Sequence, residues 1–397
     1  MGAWPSKTTP DSSSRWSALP PELADLVLRR LSSLADRVRF ASVCRHWLHV
    51  GIKYSPPCLP RVLPWLNFLD GSFRSFPDGE LHFFRFRKHA LCIGSFGTWL
   101  LFEEKGCRPS RRRFLKNPLC GATTRLPGHC NEPVDLNPDG SHGTRSSSTS
   151  TNFFIGKVIV CSSNLIAAKV NYHERPDVVV CCRPGMSSWS TGLSNGRWYQ
   201  DMAFYKEKLF TVTTEGDLFV HEVTEDCDTG EPRVSRIEQV IQAPPPLTYT
   251  LYGSFYATLN CVKTCYLVIS RTGKLLMVRW IVHYDYYNSE DSTKQMTMKV
   301  FEADLEMSQW LEVESLDDQV LFVSSDCSKA VSASSHGDNL QGNKIYFVDD
   351  GLLFWDFWPT SNPRTCGVYD MSSHTIHPIS FGELHISDQL KASWFFP

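Results

Sequence analysis

The 397-residue chain has no apolar run approaching the about 18 residues that a membrane-crossing helix needs. Its start, MGAWPSKTTPDSSS, lacks the apolar core of a signal peptide, so export is not expected. No Asn-x-Ser/Thr sequon occurs either. A basic excess is missing: 40 Lys and Arg stand against 42 Asp and Glu, for a net charge of −2. That balance argues against a general nucleic-acid binder. There is no C-x-x-C pair, no H-E-x-x-H, no P-loop and no G-x-G-x-x-G, so no metal and no cofactor is expected. Cys261-x-x-x-Cys265 and His374-x-x-His377 stand without partners at zinc spacing and read as strand and turn residues. Fourteen cysteines are dispersed through a large chain, which predicts reduced and largely buried thiols rather than a disulfide framework.

Three short motifs lack the context their chemistry requires. Gly192-Leu193-Ser194-Asn195-Gly196 matches the G-x-S-x-G nucleophile elbow, yet it reads as a Ser/Gly/Asn-rich loop without the strand and helix that an elbow joins. Met1-Gly2 with Ser6 fits a myristoylation pattern, but no polybasic patch follows to supply a second anchor. Arg108, Arg111, Arg112, Arg113 and Lys116 read as a solvated basic loop, with a nuclear address or partner patch as the alternative. No catalytic residue is assigned.

What the chain does contain, from Leu81 onward, is a series of short strand-like runs separated by turn signals: LHFFRF, ALCIGSF, KVIVCSS, LIAAKV, VVVCC, KLFTVTT, DLFVHEV, CYLVIS, KLLMVRWIV, KIYFVDD and LLFWDFW. Glu215-Gly216-Asp217, Thr272-Gly273-Lys274 and Asp350-Gly351 fall between paired runs, where glycine supplies the positive φ of a tight hairpin turn. These read as hairpins, not crossovers. Many antiparallel hairpins in about 330 residues must hide their sheet edges, and radial repetition of four-stranded blades does so. The length allows a β-propeller of six to eight blades. Before it, Pro56, Pro57, Pro60 and Pro64 cannot sustain a helix and predict a stiff connector over 56–66.

Residues 16–55 have a different texture. Pro21 suits a first helical turn, and Glu22 and Asp25 place negative charge at the positive end of a helix running from about Pro21 to Leu31. Leu23, Leu26, Val27 and Leu31 fall at i, i+3, i+4 and i+8, an apolar stripe, while Arg29 and Arg30 leave by the other side. Ser32-Ser33 supplies an N-cap for a second helix carrying Leu34, Val38 and Ala41, and Val43, Cys44 and Trp47 are placed on a third. Three short helices in about 40 residues bury little, so apolar surface is left for a partner to cover.

The Leu19-Pro20 entry, the leucines of the first helix, Asp36-Arg37 and the Val43-Cys44…Trp47 close resemble an F-box. One departure is Leu48, where the family usually has a basic residue. The ordered segments YLVISRTGKLLMVR, VFEADL, WLEVESLDDQVLFVSS, GNKIYFVDD, GVYDM and the terminal WFFP resemble the KIB-type β-propeller domain of plant F-box proteins. Leu115-Lys116-Asn117-Pro118 through Leu126 also fits the strand, Asn-Pro turn, strand pattern of F-box propeller repeats.

The resemblance implies a multidomain, mainly β chain: a disordered N-terminus over 1–15, an F-box over 16–55, the connector over 56–66, and the propeller over 67–397. It implies a substrate-recognition subunit of an SCF-type (Skp–cullin–F-box) E3 ubiquitin ligase that makes no bond itself. Leu19, Pro20, Leu23, Leu31, Val43, Cys44 and Trp47 are then the residues that dock a Skp-type adaptor, and through it a cullin–RING ligase. The propeller would bind a target protein of unknown identity, with no nucleic acid, membrane or cofactor involved, in the cytoplasm, the nucleus or both. Two alternatives stand beside this reading. One is a propeller that sequesters a partner without ubiquitination, and the other is a propeller hydrolase with carboxylates at its channel.

Overall fold

A proline pair sets where regular structure begins. The Pro20 carbonyl accepts hydrogen bonds from Leu23 N (3.1 Å) and Ala24 N (3.0 Å), and Pro21 occupies a first-turn position whose N–H would have no partner anyway. Helix α1 follows over Pro21–Arg30, with Glu22 in its first turn and Arg29 and Arg30 in its last, each matching the helix dipole. It stops where Leu31 turns extended. The structure, a computed structural model, describes residues 19–31, 34–53, 62–68, 71–83, 90–104, 112–118, 121–131, 133–136, 149–150, 153–172, 175–190, 192–244, 260–283, 295–348, 366–379 and 392–397. The chain divides into two compact units, Met1–Leu63 with Pro397, and Pro64–Phe396.

In the first unit α1 is followed by α2, Leu34–Ser42, and α3, Arg45–Lys53. Ala24, Leu28, Phe40 and Val50 form its core, with Leu19, Leu31 and Trp47 packed against them. The Trp47 ring stacks on Phe40 with centroids 4.4 Å apart. Val43 and Cys44 are not on the third helix as the sequence suggested. They form the turn before it: Val43 N donates to Phe40 O, and the Cys44 carbonyl accepts the Leu48 N–H at 2.9 Å, which caps α3. The proposed Ser32-Ser33 cap lies outside the described residues.

The second unit is a six-bladed β-propeller. Blade one contains Trp65–Phe68, Ser72–Ser75 and Leu81–Phe83, and it is completed by the C-terminal strand Ala392–Phe395, paired antiparallel to the first with Trp65 opposite Phe395. Trp65 and Leu66, assigned to the connector by sequence, are therefore strand residues, and one of the two strands that pair with them sits more than 300 positions away. Blade two is Ala90–Phe96, Trp99–Glu104, Arg113–Lys116 and Thr123–Leu126. Blade three is built on Phe153–Ser162, Leu165–Tyr172, Val178–Cys182 and Leu193–Ser194. Blade four is Tyr199–Tyr205, Lys208–Thr213, Leu218–Glu225 and Pro232–Ile241. Blade five is Asn260–Ile269, Leu275–His283, Gln295–Asp304 and Gln309–Val313. Blade six orders Lys329–Ser332, Gln319–Val323, Lys344–Val348, Cys366–Asp370 and Thr375–Pro378.

The leading strands of successive blades pack on one another and return to the C-terminal strand of blade one, which closes the ring. The core lies between the blades. Alternation explains why Val178–Cys182 reads as a wholly apolar run: Val178, Val180 and Cys182 join the cluster shared with blade two, while Val179 and Cys181 join the one shared with blade four. Tyr266, Val278 and Trp280 of blade five meet Leu321, Ile345 and Phe347 of blade six in the same way. Closure is further locked by Trp394, 0% exposed, whose Nε1–H donates to the Val323 carbonyl at 3.1 Å while its own carbonyl accepts from Ser95 Oγ at 2.8 Å.

The turns at Glu215-Gly216-Asp217 and Thr272-Gly273-Lys274 are hairpins between antiparallel strands, with φ of 108° and 75° at the two glycines. The Asn117 turn also joins an antiparallel pair, with Gly121 at φ 73°. Pairing is not antiparallel throughout, however. Gln319–Val323 runs parallel to Lys344–Val348, Leu193–Ser194 parallel to Val134–Asp135, and Ser188–Trp189 parallel to His129–Asn131. The expected strand LLFWDFW and the turn at Asp350-Gly351 lie outside the described residues.

Candidate functional site

The helical unit carries more apolar surface than its small core uses. On α1 the buried positions are Ala24, Asp25 and Leu28, whereas Leu23, Leu26 and Val27 are 48%, 47% and 41% exposed. Leu23, Leu26 and Val27 of the stripe seen in the sequence thus face outward, Leu31 packs on the core, and a second set, shifted by a residue, faces inward. Val43 in the turn is 55% exposed and Leu48 on α3 is 44% exposed. Of the seven sequence-assigned positions, Leu23, Val43 and Pro20 are exposed, while Leu19, Leu31, Cys44 and Trp47 are half-buried. Leu19, Leu31 and Trp47 therefore serve the internal packing as well. Leu26, Val27 and Leu48 are exposed apolar positions that the assignment left out; the i, i+3, i+4 spacing already marked the first two.

Polar contacts hold this surface in shape. Arg37 is buried, and its Nε–H donates to the Leu31 carbonyl at 2.7 Å, closing the turn after α1. Burial lowers its pKa from the usual arginine value. His46 Nε2–H donates to the Leu19 carbonyl at 3.0 Å and so fixes the Leu-Pro entry against α3. Arg29 pairs with Asp25 at 2.7 Å and Arg39 with Asp36 at 2.8 Å, leaving the apolar positions uncharged.

The 192–196 segment is not a nucleophile elbow. Leu193–Ser194 is a short strand rather than the expected loop, paired with Val179 on one side and with Val134–Asp135 on the other. Gly192 is glycine because a Cβ there would meet Val178 at 3.1 Å. Ser194 is buried, and its Oγ accepts from Gly196 N rather than being presented at a helix start. His374 bonds Tyr369 Oη at 3.0 Å and His377 bonds Thr375 Oγ1 at 3.0 Å, so both are turn and strand residues. Arg113 corrects the solvated-loop reading of the basic cluster: it is 3% exposed, pairs with Glu103 at 3.1 Å and lies 4.8 Å over the Phe153 ring. Arg108 and Arg111 lie outside the described residues.

Cys44, Cys92, Cys130, Cys161, Cys181, Cys182, Cys227, Cys265, Cys327 and Cys366 are free thiols. Burial pushes Cys92 and Cys130 up to about 11, and Cys161 and Cys265 up to about 12, so these thiols are protonated and inert at neutral pH.

Buried charge lies instead at the joints between blades. Lys157 Nζ donates to Asp201 Oδ1 at 2.6 Å, and the Asp201 carboxylate also accepts from Met202 N and from Leu267 N, each at 2.7 Å. One side chain thereby ties blades three, four and five. His221, fully buried, shares a hydrogen bond with Thr211 Oγ1 at 2.8 Å, and desolvation drops its pKa to about 3.

Residues 73–370 of this six-bladed unit match the family described as the KIB1-4 beta-propeller. The chain belongs to that family. The KIB-type propeller follows the helical unit in this chain. F-box protein SKIP23 of Arabidopsis thaliana is 23% identical over 402 residues, covering 91% of this chain and 90% of that protein. A second F-box protein of the same plant is 24% identical over 358 residues, covering 84% and 96%.

Proposed function

We propose that this chain is the substrate-recognition subunit of an SCF-type E3 ubiquitin ligase, its helical unit docking a Skp-type adaptor and its KIB-type propeller binding the target protein. The observation that carries this reading is the outward stripe of Leu23, Leu26 and Val27, with Val43 and Leu48, on a unit whose described core is a cluster of four buried side chains. Apolar anchors of this kind contribute on the order of 2 kcal/mol each when a partner covers them. The F-box names of the relatives support the same assignment.

The chain acts by position and is not itself an enzyme. Holding a target and, through the adaptor, a cullin–RING ligase in one complex raises the effective concentration of target lysines at the charged ubiquitin carrier. The bond-making residues belong to other subunits. The reading places the protein in the cytoplasm, the nucleus or both.

Co-purification with a Skp-type adaptor and a cullin tests the assignment. It should be lost with Leu23→Glu and with Val43→Arg, and full retention by both variants rejects it. Affinity purification with the proteasome blocked, compared with a variant lacking residues 1–55, then identifies the target. A target whose half-life is the same in cells without this protein indicates sequestration instead of degradation.

A further inference from the structure

Blade five buries a cation that forms no ion pair among the described residues. Arg279 lies on Leu275–His283 and is 5% exposed. Its Nε and Nη1 have no hydrogen-bond partner, and among the described residues no carboxylate lies within ion-pair distance. In the strand register Arg279 stands directly opposite Cys265 on one side and Lys299 on the other, so the three side chains share one face. That face looks toward blade four. Cys265 Sγ reaches the Thr214 carbonyl at 3.4 Å, and Cys265, Met277 and Phe301 share an apolar cluster with Phe210, Val212 and Leu218.

Arg279 therefore sits one step beyond Met277, at the margin of the cluster under the Thr214–Gly216 turn. Lys299 Nζ is held by Glu312 Oε1 at 2.7 Å and keeps a quarter of its side chain exposed. Glu215, on the same turn as Thr214, is exposed and forms no ion pair with Arg279 among the described residues. Two cations set opposite each other repel, and guanidinium nitrogens buried without a partner forfeit their hydration. Glu312 offsets the Lys299 charge, but the lost hydration of Arg279 Nε and Nη1 is not made up among the described residues, and an external anion would offset it.

We propose that Arg279, with Lys299 across from it, is an oxyanion-recognition point where blade five faces blade four, taking a carboxylate or phosphate group carried by the target protein. Guanidinium donors form short, charge-assisted hydrogen bonds with such oxygens and discriminate them from a halide by geometry. That the anion comes from a target rests on the receptor reading above; that an anion binds there does not.

The test is thermal unfolding of the full chain at constant ionic strength, with inorganic phosphate or acetate replacing chloride at millimolar concentration. The midpoint should rise by about 2 °C in phosphate, in acetate or in both, the size expected for a site held several-fold above its dissociation constant. A rise in phosphate alone assigns a phosphorylated side chain, and a rise in both assigns an acidic one. The rise should vanish in Arg279→Met and shrink in Lys299→Met. No rise in the native chain, or an equal rise in Arg279→Met, overturns the proposal. In chloride alone, Arg279→Met should unfold at the same or a higher temperature. A lower midpoint, or failure to fold, shows that the chain itself holds this cation, and it overturns the proposal as well. Loss of adaptor binding would leave every one of these readouts unchanged.

Discussion

Replacing Asp201 by Asn keeps the shape of the side chain at the junction of three blades and removes only its charge. The carboxylate is 1% exposed and the Lys157 side chain 8% exposed, so neither ion recovers hydration when the other is lost. At 2.6 Å and an effective dielectric of about 20, the gross attraction is about 6 kcal/mol, most of which offsets the desolvation of the two ions. What the substitution exposes is the asymmetry: an ammonium left buried and unpaired costs about 3–5 kcal/mol. An amide also turns a donor toward Lys157 Nζ or Leu267 N, where the native carboxylate accepts from both. We expect Asp201→Asn to lower the unfolding free energy of the full chain by about 3–5 kcal/mol, a large part of the total for a folded domain. Urea denaturation followed by tryptophan fluorescence reads this as a fall in midpoint with an unchanged slope. Lys157→Met with Asp201→Asn should cost less than the two separate losses added, because the double variant leaves no uncompensated ion. A loss below about 1 kcal/mol for Asp201→Asn, or strict additivity, would refute the argument that this pair locks the blades.

Three further outcomes are expected. His221 is held neutral, with its pKa near 3 against an ordinary 6.5, so the unfolded chain takes up a proton that the native one excludes. Its contribution is complete at neutral pH and is lost as pH falls from about 6.5 toward 3, reaching about 2 kcal/mol near pH 5. Urea titrations at both pH values should show native protein losing that much more than His221→Gln; equal losses would remove His221 as the cause. Trp394→Ala should destabilise by about 3–5 kcal/mol in the same assay, since it empties a fully buried site packed by Phe76 and Phe322 and deletes the bond to Val323. On the helical unit, Leu23→Glu should leave stability within about 0.5 kcal/mol while lowering adaptor affinity at least tenfold in a binding titration, and Leu28→Ala, at 2% exposure, should do the reverse by damaging the fold.

The sequence by itself determined many of the strand-forming runs and where the first helix would start. Local rules govern both: Pro21 with Glu22 opens α1, apolar runs such as Leu275–His283 form strands, and Gly216 and Gly273 permit the tight turns between them. The Leu-Pro entry and the Val-Cys…Trp close were equally legible, because the helical unit is encoded in one continuous segment. Blade number was not. Self-similarity between repeats is weak, and closure depends on Ala392–Phe395 pairing with Trp65–Phe68, a contact between the two ends of the propeller that no local window contains.

Only tertiary structure decided which stripe of α1 faces water. Helical spacing sorts residues into faces, but the packing of Phe40 and Val50 chooses Ala24 and Leu28 for the core and leaves Leu23, Leu26 and Val27 outside. It also separated one arginine from the next: Arg113 was drawn into an ion pair over Phe153, while Arg279 was buried opposite Lys299 with its Nε and Nη1 unmet. Charge is visible in a sequence, but its compensation depends on strands brought together from distant positions.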